Sequence, residues 1–190
     1  MKEIDCRGLS YLKIIREIKK YFNSIGEGEA VVIVNSELGR SNVLRYAAHK
    51  GYQVDEEDEE NRFSIKIEKR GCLEVEDEGE IFSILVAREK LGDGEDELGT
   101  TLINEYFEAL NEYDRLPKEI LFLNSGVKLF SKDSKAIEDI KMLYKKGVKL
   151  LINDTSLDYY NLTGEITFGE IASMYDMVVA MKKAKKLIKL

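Results

Sequence analysis

A chain of 190 residues with 44% hydrophobic and 34% charged residues has the balance of a globular protein, and its length fits two compact domains. No apolar run approaches the roughly 20 residues that cross a bilayer, and Glu3 and Asp5 do not suit a signal peptide. Two cysteines, Cys6 and Cys72, are too few for a disulfide framework. We therefore expect a cytoplasmic protein without a membrane partner.

The net charge of −7 is unevenly distributed along the chain. Residues 1–70 contain 13 basic and 13 acidic side chains, so the whole excess of acid lies in residues 71–190. A protein that binds nucleic acid gathers basic residues on one face, and this composition offers none. We therefore predict no nucleic-acid partner and assign the C-terminal lysines to a solvated helix face and strand. Those lysines are Lys182, Lys183, Lys185, Lys186 and Lys189.

The first 35 residues predict a strand, a helix and a second strand. Ile4 and Cys6 share one face of a short strand, because side chains alternate along a strand. Residues 11–22 carry apolar side chains at three- and four-residue spacing, which predicts a helix with Ser10 as its N-cap. The apolar run 30–35 predicts a buried strand.

Residues 41–70 predict a second helix and two further strands. The helix begins at Ser41 or Asn42 and continues to residue 50, and residues 52–54 begin the third strand. The acidic run 55–60 is interpreted as a solvated turn, and alternating apolar residues at 63–67 predict the fourth strand. The resulting βαβαββ order predicts a two-layer sandwich with both helices on one face of the sheet.

A short acidic segment separates the two halves of the sequence. Residues 71–79 contain four acidic residues and two glycines and follow neither a helical nor a strand period. We therefore predict a first domain over 1–70, a linker over 71–79 and a second domain over 80–190.

The second domain alternates apolar strands with helical segments. Strands buried on both faces and separated by helices predict a parallel, doubly wound α/β sheet. Residues 153–163 are interpreted as a long turn. The predicted strands are 81–87, 120–123, 148–152 and 186–190, and the predicted helices are 97–113, 134–146 and 171–183.

Asp5, Arg7, Gly8 and Leu9 come directly before the first predicted helix. This motif resembles the start of the TusA/SirA-like sulfur carriers, whose pattern is Asp-x-Arg-Gly-Leu-x-Cys-Pro-x-Pro. In that family a cysteine at the helix N-terminus holds a persulfide, and the helix dipole favours its thiolate. This chain has Tyr11 at the cysteine position, and a phenol cannot form a persulfide.

Several motifs of the second domain form one pattern, namely Gly92–Gly99, Phe122–Leu129 with Asn124-Ser125-Gly126-Val127-Lys128, Thr155–Tyr160, Gly169-Glu170 and Met174-Tyr175. This pattern resembles the DsrE-like domain of YedF-type, sulfurtransferase-like selenium-metabolism proteins, which join a TusA-like to a DsrE-like domain. The resemblance covers nearly the whole chain. It implies a role in sulfur or selenium handling, protein partners from that metabolism, and a homo-oligomer formed through the second domain.

The thiols of this second family pattern are also replaced. The family's turn reads Cys-Gly-Thr-Cys-Leu-Asp at the C-terminal end of a parallel strand, where open α/β sheets place their sites. Asn153 and Ser156 occupy the two cysteine positions here. They can hydrogen-bond but cannot carry sulfur or selenium.

Two cysteines remain as substitute thiols. Cys6 is either a small buried hydrophobe or a displaced nucleophile. Cys72 lies among carboxylates, which raise a thiol's pKa and slow its reactions. The acidic segment Gly92–Gly99 is either a flexible loop or a divalent-cation site, and His49 lacks partners for a catalytic or zinc constellation. We predict no cofactor and no metal site.

We expect three alternative functions from these residues. The first is a binding or regulatory role in sulfur or selenium handling without thiol relay. The second is an active sulfur transferase that uses Cys6 or Cys72. The third is a non-thiol enzyme with Ser156 as nucleophile and Asp158 as base, although its turn lacks an activating histidine or lysine. The predicted ligand- or partner-binding residues are Asp5, Arg7, Gly8, Asn124, Ser125, Thr155, Asp158 and Tyr159.

Overall fold

A computed structural model describes residues 1–59, 62–70 and 81–190. The chain divides into two compact units, Met1–Asp77 and Glu78–Leu190. The proposed linker and Cys72 lie outside the described residues, so the domain boundaries at 70 and 80 stay a prediction.

The first unit is the predicted two-layer sandwich. Its four strands form one sheet in the order β1-β2-β4-β3, in which β1 and β2 are parallel and the other neighbours are antiparallel. Both helices pack on the same face, where Ile18 and Val43 meet Val32 and Ile65. The elements are β1 (Lys2–Asp5), α1 (Tyr11–Phe22), β2 (Gly28–Val34), α2 (Glu37–His49), β3 (Gln53–Glu59) and β4 (Arg62–Lys69).

The acidic run after Val54 is strand and not the predicted turn. It continues β3 to Glu59 and pairs antiparallel with β4. Asp55 lies opposite Lys66, and both carboxylate oxygens of Glu56 accept hydrogen bonds from Arg40, at 2.7 and 3.0 Å. The run is compatible with a strand because β3 is an edge strand, and charged residues are common on exposed edges.

The second helix begins at Glu37, before the predicted start at residues 41–42. The side chain of Ser36 caps it, since its Oγ accepts the Gly39 N–H at 3.0 Å. This cap satisfies one of the amide groups that lack a partner inside the first turn of a helix.

The second unit is the predicted parallel, doubly wound sheet. Its strand order is β8-β7-β6-β5-β9, with every neighbouring pair parallel. Its described elements are β5 (Phe82–Val86), α3 (Asp96–Glu112), β6 (Glu119–Phe122), a 3₁₀ helix (Asn124–Phe130), α4 (Ile137–Lys145), β7 (Lys149–Asn153), α5 (Asp154–Tyr159), a 3₁₀ turn (Thr163–Glu165), β8 (Glu170–Ala172), α6 (Met174–Lys183) and β9 (Lys186–Lys189).

Helices cover both faces of this sheet. Phe107 of α3 and Ile140 of α4 pack against Ile84 and Ile120 on one face. Met177 and Ala180 of α6 pack with Leu121 and Leu151 on the other. The fold class predicted from the sequence is therefore confirmed for both units.

Two local predictions in this unit were wrong. The segment predicted as one long turn begins with a short helix, α5, directly after β7. The last helix begins at Met174 and not at Ile171, which lies in β8. A capping box fixes the start of that helix, because Ser173 and Asp176 bond to each other's backbone N–H.

Candidate functional site

Asn153 and Ser156, two residues singled out in the sequence, are hydrogen-bonded to each other. Asn153 ends β7, is 1% exposed, and serves as the N-cap of α5. Its Oδ1 accepts the Ser156 N–H at 3.0 Å and the Ser156 hydroxyl at 2.6 Å. The amide and the hydroxyl therefore stabilise the first turn of α5 at the C-terminal edge of the sheet.

Ser156 also connects α5 to the 3₁₀ helix that follows β6. Its Oγ accepts the Asn124 N–H at 2.8 Å. Asn124 adopts a left-handed backbone conformation with φ 51°, which asparagine tolerates better than most residues. Its Oδ1 accepts the Tyr160 hydroxyl at 3.3 Å. One chain of hydrogen bonds thus runs from Asn153 through Ser156 and Asn124 to Tyr160.

An ion pair next to the Tyr160 ring continues this network. The Lys128 ammonium lies 4.7 Å from the ring centroid and donates to Glu89 Oε1 at 2.9 Å. The hydrogen bond to Glu89 raises the pKa of Lys128 above its usual value. The Glu89 N–H in turn donates to Ser125 Oγ at 3.3 Å. Asn153, Ser156 and Asn124 therefore position a charged pair through Tyr160.

Three other predicted residues belong to α5. Thr155 shares the acceptor Asp154 Oδ1 with Asn153 Nδ2, and the Tyr159 ring centroid lies 4.9 Å from that of Tyr160. Thr155 donates to Asp154 Oδ1 through both its N–H and its hydroxyl, at 2.6 and 3.1 Å. Asp158 accepts the Thr163 hydroxyl at 2.8 Å. Tyr159 is 77% exposed. Glu89 was missing from the predicted site because a single glutamate in a loop carries no periodic or motif signal.

The predicted nucleophile–base pair of the non-thiol enzyme has no supporting contact. Ser156 Oγ donates to an amide oxygen and accepts a backbone N–H, and neither group is a general base. Within the described residues Asp158 does not bond to Ser156. The hydroxyl is held in place without being activated.

The predicted N-terminal site is a fixed turn before α1. Arg7 forms a bidentate ion pair with Asp5, at 2.9 and 2.6 Å, on the exposed surface. Gly8 has φ 71°, where side chains are disfavoured, and its N–H donates to Asn35 Oδ1 at 3.1 Å. Tyr11 is the first residue of α1 and is 47% exposed. The phenol therefore lies at the surface, at the first turn of α1.

We expect the Asp5 carboxyl to titrate at an unusually low pH. Its hydrogen bonds from the Arg7 side chain and backbone lower its pKa to about 2. Because the folded-state pKa lies below the unfolded value, this pair stabilises the fold above pH 4 or so and is lost as pH falls toward 2. NMR titration should give a low pKa that rises in Arg7→Gln. An unchanged value in that variant would contradict the ion pair.

Cys6 belongs to the hydrophobic core of the first unit. It is 1% exposed and packs with the residues under the two helices. Burial, with smaller contributions from Glu17 and Asp5, raises the pKa of its thiol to about 11. Thiolate is the reactive form, so Cys6 is both inaccessible and protonated at neutral pH.

We expect Cys6 to resist alkylation in the native protein. In a Cys72→Ser variant, iodoacetamide at pH 8 should leave the native chain unmodified and should modify it fully once urea is added. Intact mass spectrometry reads both results. Modification of the native chain at the rate of a free thiol would show that Cys6 is accessible and would contradict its assignment as a core residue.

The acidic loop before α3 holds internal ion pairs. Asp93 pairs with Arg88, and Asp96 pairs with Lys90 at 2.6 Å. Among the described residues no three histidine, cysteine, aspartate or glutamate side chains are grouped as metal ligands would be. The described part of the chain also contains no helix long and apolar enough to cross a membrane.

Neither the protein-family models nor the curated proteins include a match to this chain. Among solved structures, it is similar to a SirA-like protein from Desulfitobacterium hafniense, with 24% identity over 36% of this chain and 96% of that one, at a TM-score of 0.34. It is also similar to the ychN protein from E. coli, with 13% identity over 57% of this chain and 98% of that one, at a TM-score of 0.44.

Proposed function

We propose that this is a sulfurtransferase-like protein of sulfur or selenium handling that acts as a binding or regulatory partner and does not relay persulfide. The observation that carries the proposal is the hydrogen-bonded pair of Asn153 and Ser156. Asn153 Oδ1 accepts the N–H and the hydroxyl of Ser156, and Ser156 Oγ accepts the Asn124 N–H. A persulfide relay needs a sulfur nucleophile at such a position.

In this proposal the protein retains the partner-binding surfaces of the family that it resembles and lacks the family's persulfide chemistry. The turn at Asp5, Arg7 and Gly8 is retained and ordered by hydrogen bonds, although Tyr11 replaces the thiol. Its partners would be other proteins of sulfur or selenium handling, and copies of the chain would associate through the second unit. The sequence resemblance supports the role in selenium handling, and the composition supports a cytoplasmic location.

An active transferase is the second candidate. It would need Cys6 or Cys72 as its thiol. The burial of Cys6 and its raised pKa oppose the first choice, and Cys72 lies outside the described residues. The third candidate, a non-thiol enzyme of the Asn153–Asp158 turn, has less support because Ser156 bonds to no base.

Persulfide loading distinguishes these candidates. The purified full-length protein is incubated with a cysteine desulfurase and cysteine, and its intact mass is measured with and without reductant. We expect no sulfur adduct on the wild type. A reductant-sensitive adduct that disappears in Cys6→Ser or in Cys72→Ser would establish the transferase and identify its thiol.

A further inference from the structure

A cleft of about 450 Å³ lies beside the ion pair of Lys128 and Glu89. Small-molecule sites commonly have volumes of about 300–1,000 Å³ and apolar surfaces with a few placed polar groups. Three of its lining residues are buried and apolar, namely Ile103, Leu129 and Leu162. The cleft therefore has both the size and the apolar surface of a small-ligand site.

The charges that line this cleft balance. Lys128 and Lys135 supply two cations, and Glu89 and Asp133 supply two anions. A phosphate or another simple anion is bound best where positive charge is in excess. A balanced cleft instead favours a ligand that carries one charge of each sign and no net charge.

The ion pair retains hydrogen-bonding capacity for such a ligand. An ammonium has three donors and a carboxylate has two acceptor oxygens, and the contact between Lys128 and Glu89 Oε1 uses one donor and one oxygen. The remaining N–H groups of Lys128 can bind a carboxylate, and the other oxygen of Glu89 can bind an ammonium. Tyr160 holds the Lys128 ammonium in place as a positioning residue.

Three further polar side chains line the cleft with no hydrogen bond to any described residue. They are the half-buried side chains of Asn104, Ser131 and Ser134. Polar groups at a partly buried surface are normally paired with protein or water. A bound ligand with donors and acceptors would pair them.

We propose that this cleft binds a small α-amino acid with an uncharged side chain. Its carboxylate contacts Lys128, its ammonium contacts Glu89, and its side chain packs on Ile103, Leu129 and Leu162. This inference rests on the binding role proposed above and names the ligand class. The amino-acid proposal can be wrong even if the protein does not relay persulfide, because the persulfide-loading experiment tests the absence of relay separately.

Calorimetric titration of the full-length protein tests the proposal. The probes are L-alanine, L-leucine and L-cysteine, with propionate, propylamine and inorganic phosphate as comparators that carry charge of one sign only. We expect at least one amino acid to bind, and each comparator to bind about tenfold more weakly or less, because each lacks a charge-assisted hydrogen bond. Binding of no amino acid, or tighter binding of phosphate, would overturn the proposal.

Two variants assign the binding to this cleft. Lys128→Gln and Glu89→Gln should each weaken amino-acid binding by about tenfold. Lys149→Gln is the matched control. It removes a lysine of β7 that pairs with Glu170 of β8 at 3.1 Å, and this variant should bind the amino acid as the wild type does. Thermal unfolding by circular dichroism verifies that each variant is folded. Equal affinities in the folded wild type and both cleft variants would place the ligand elsewhere.

Discussion

Replacing Gly126 with alanine should lower the free energy of unfolding of the second unit by about 3 kcal/mol. A Cβ at this position would lie 2.3 Å from the Val86 carbonyl oxygen and 3.0 Å from its carbon. Both atoms belong to the backbone of β5. The Val86 carbonyl oxygen also accepts a hydrogen bond from the Leu123 N–H. The strand cannot move aside without disturbing the sheet, so the 3₁₀ helix must shift instead.

This displacement should also reach the candidate site. Gly126 lies between Asn124 and Lys128 in the 3₁₀ helix, and both of these residues belong to the hydrogen-bonded network. Urea unfolding followed by circular dichroism measures the loss of stability. Peptides from β5 to β7 should lose protection from hydrogen exchange, and peptides from β1 to β4 should keep the protection that they have in the wild type.

Gly164→Ala is the matched control for this substitution. Gly164 lies in the 3₁₀ turn of the same unit, and no heavy atom lies within 4 Å of the position its Cβ would take. Its stability should change by no more than about 0.5 kcal/mol. A Gly126→Ala protein that unfolds at the same urea concentration as the wild type would contradict the close packing of the 3₁₀ helix on β5.

The Asn153→Ala substitution has the second largest expected effect, a loss of about 2 kcal/mol. It removes the N-cap of α5, which contributes about 1 kcal/mol. It also leaves the Ser156 hydroxyl without its acceptor, and this second unsatisfied, partly buried donor adds a similar penalty. Urea unfolding of the full-length protein measures the loss.

A double-mutant cycle isolates the contact between the two residues. Ser156→Ala alone should cost about 1 kcal/mol, since Asn124 loses the acceptor of its N–H. The double variant should be less destabilised than the sum of the single variants by about 1 kcal/mol. Thr155→Ala, at an exposed position of the same helix, should be close to neutral. Strictly additive effects would mean that the two side chains do not interact.

The element types could be predicted from the sequence because apolar periodicity reports burial directly. Residues 11–22 and 30–35 show clear helical and strand patterns, and both elements are present. The start of β3 was predicted, but its continuation through the acidic run to Glu59 was taken for a turn, because these acidic residues lie on a sheet edge and show no apolar alternation. Their partners Lys66 and Arg40 lie in other elements, so the pairing has no local signal.

The candidate site was predictable where a cap or motif marks it. The spacing of Asn153 and Ser156 is that of an N-cap and the third residue of a helix, which explains their contact. The position of Glu89 was not predictable, because it meets Lys128 across 39 positions of sequence. Such a contact depends on the strand order of the sheet, which brings the ends of β5 and β6 together.

The main proposal is that this chain does not carry persulfide sulfur. It is tested most directly by the number of sulfur atoms that the wild-type chain acquires from a cysteine desulfurase, with a sulfur carrier that retains its cysteine as the positive control. The account predicts that the control gains mass while this protein keeps the mass of its unmodified chain. A gain of one or more sulfur atoms that reductant removes would contradict it.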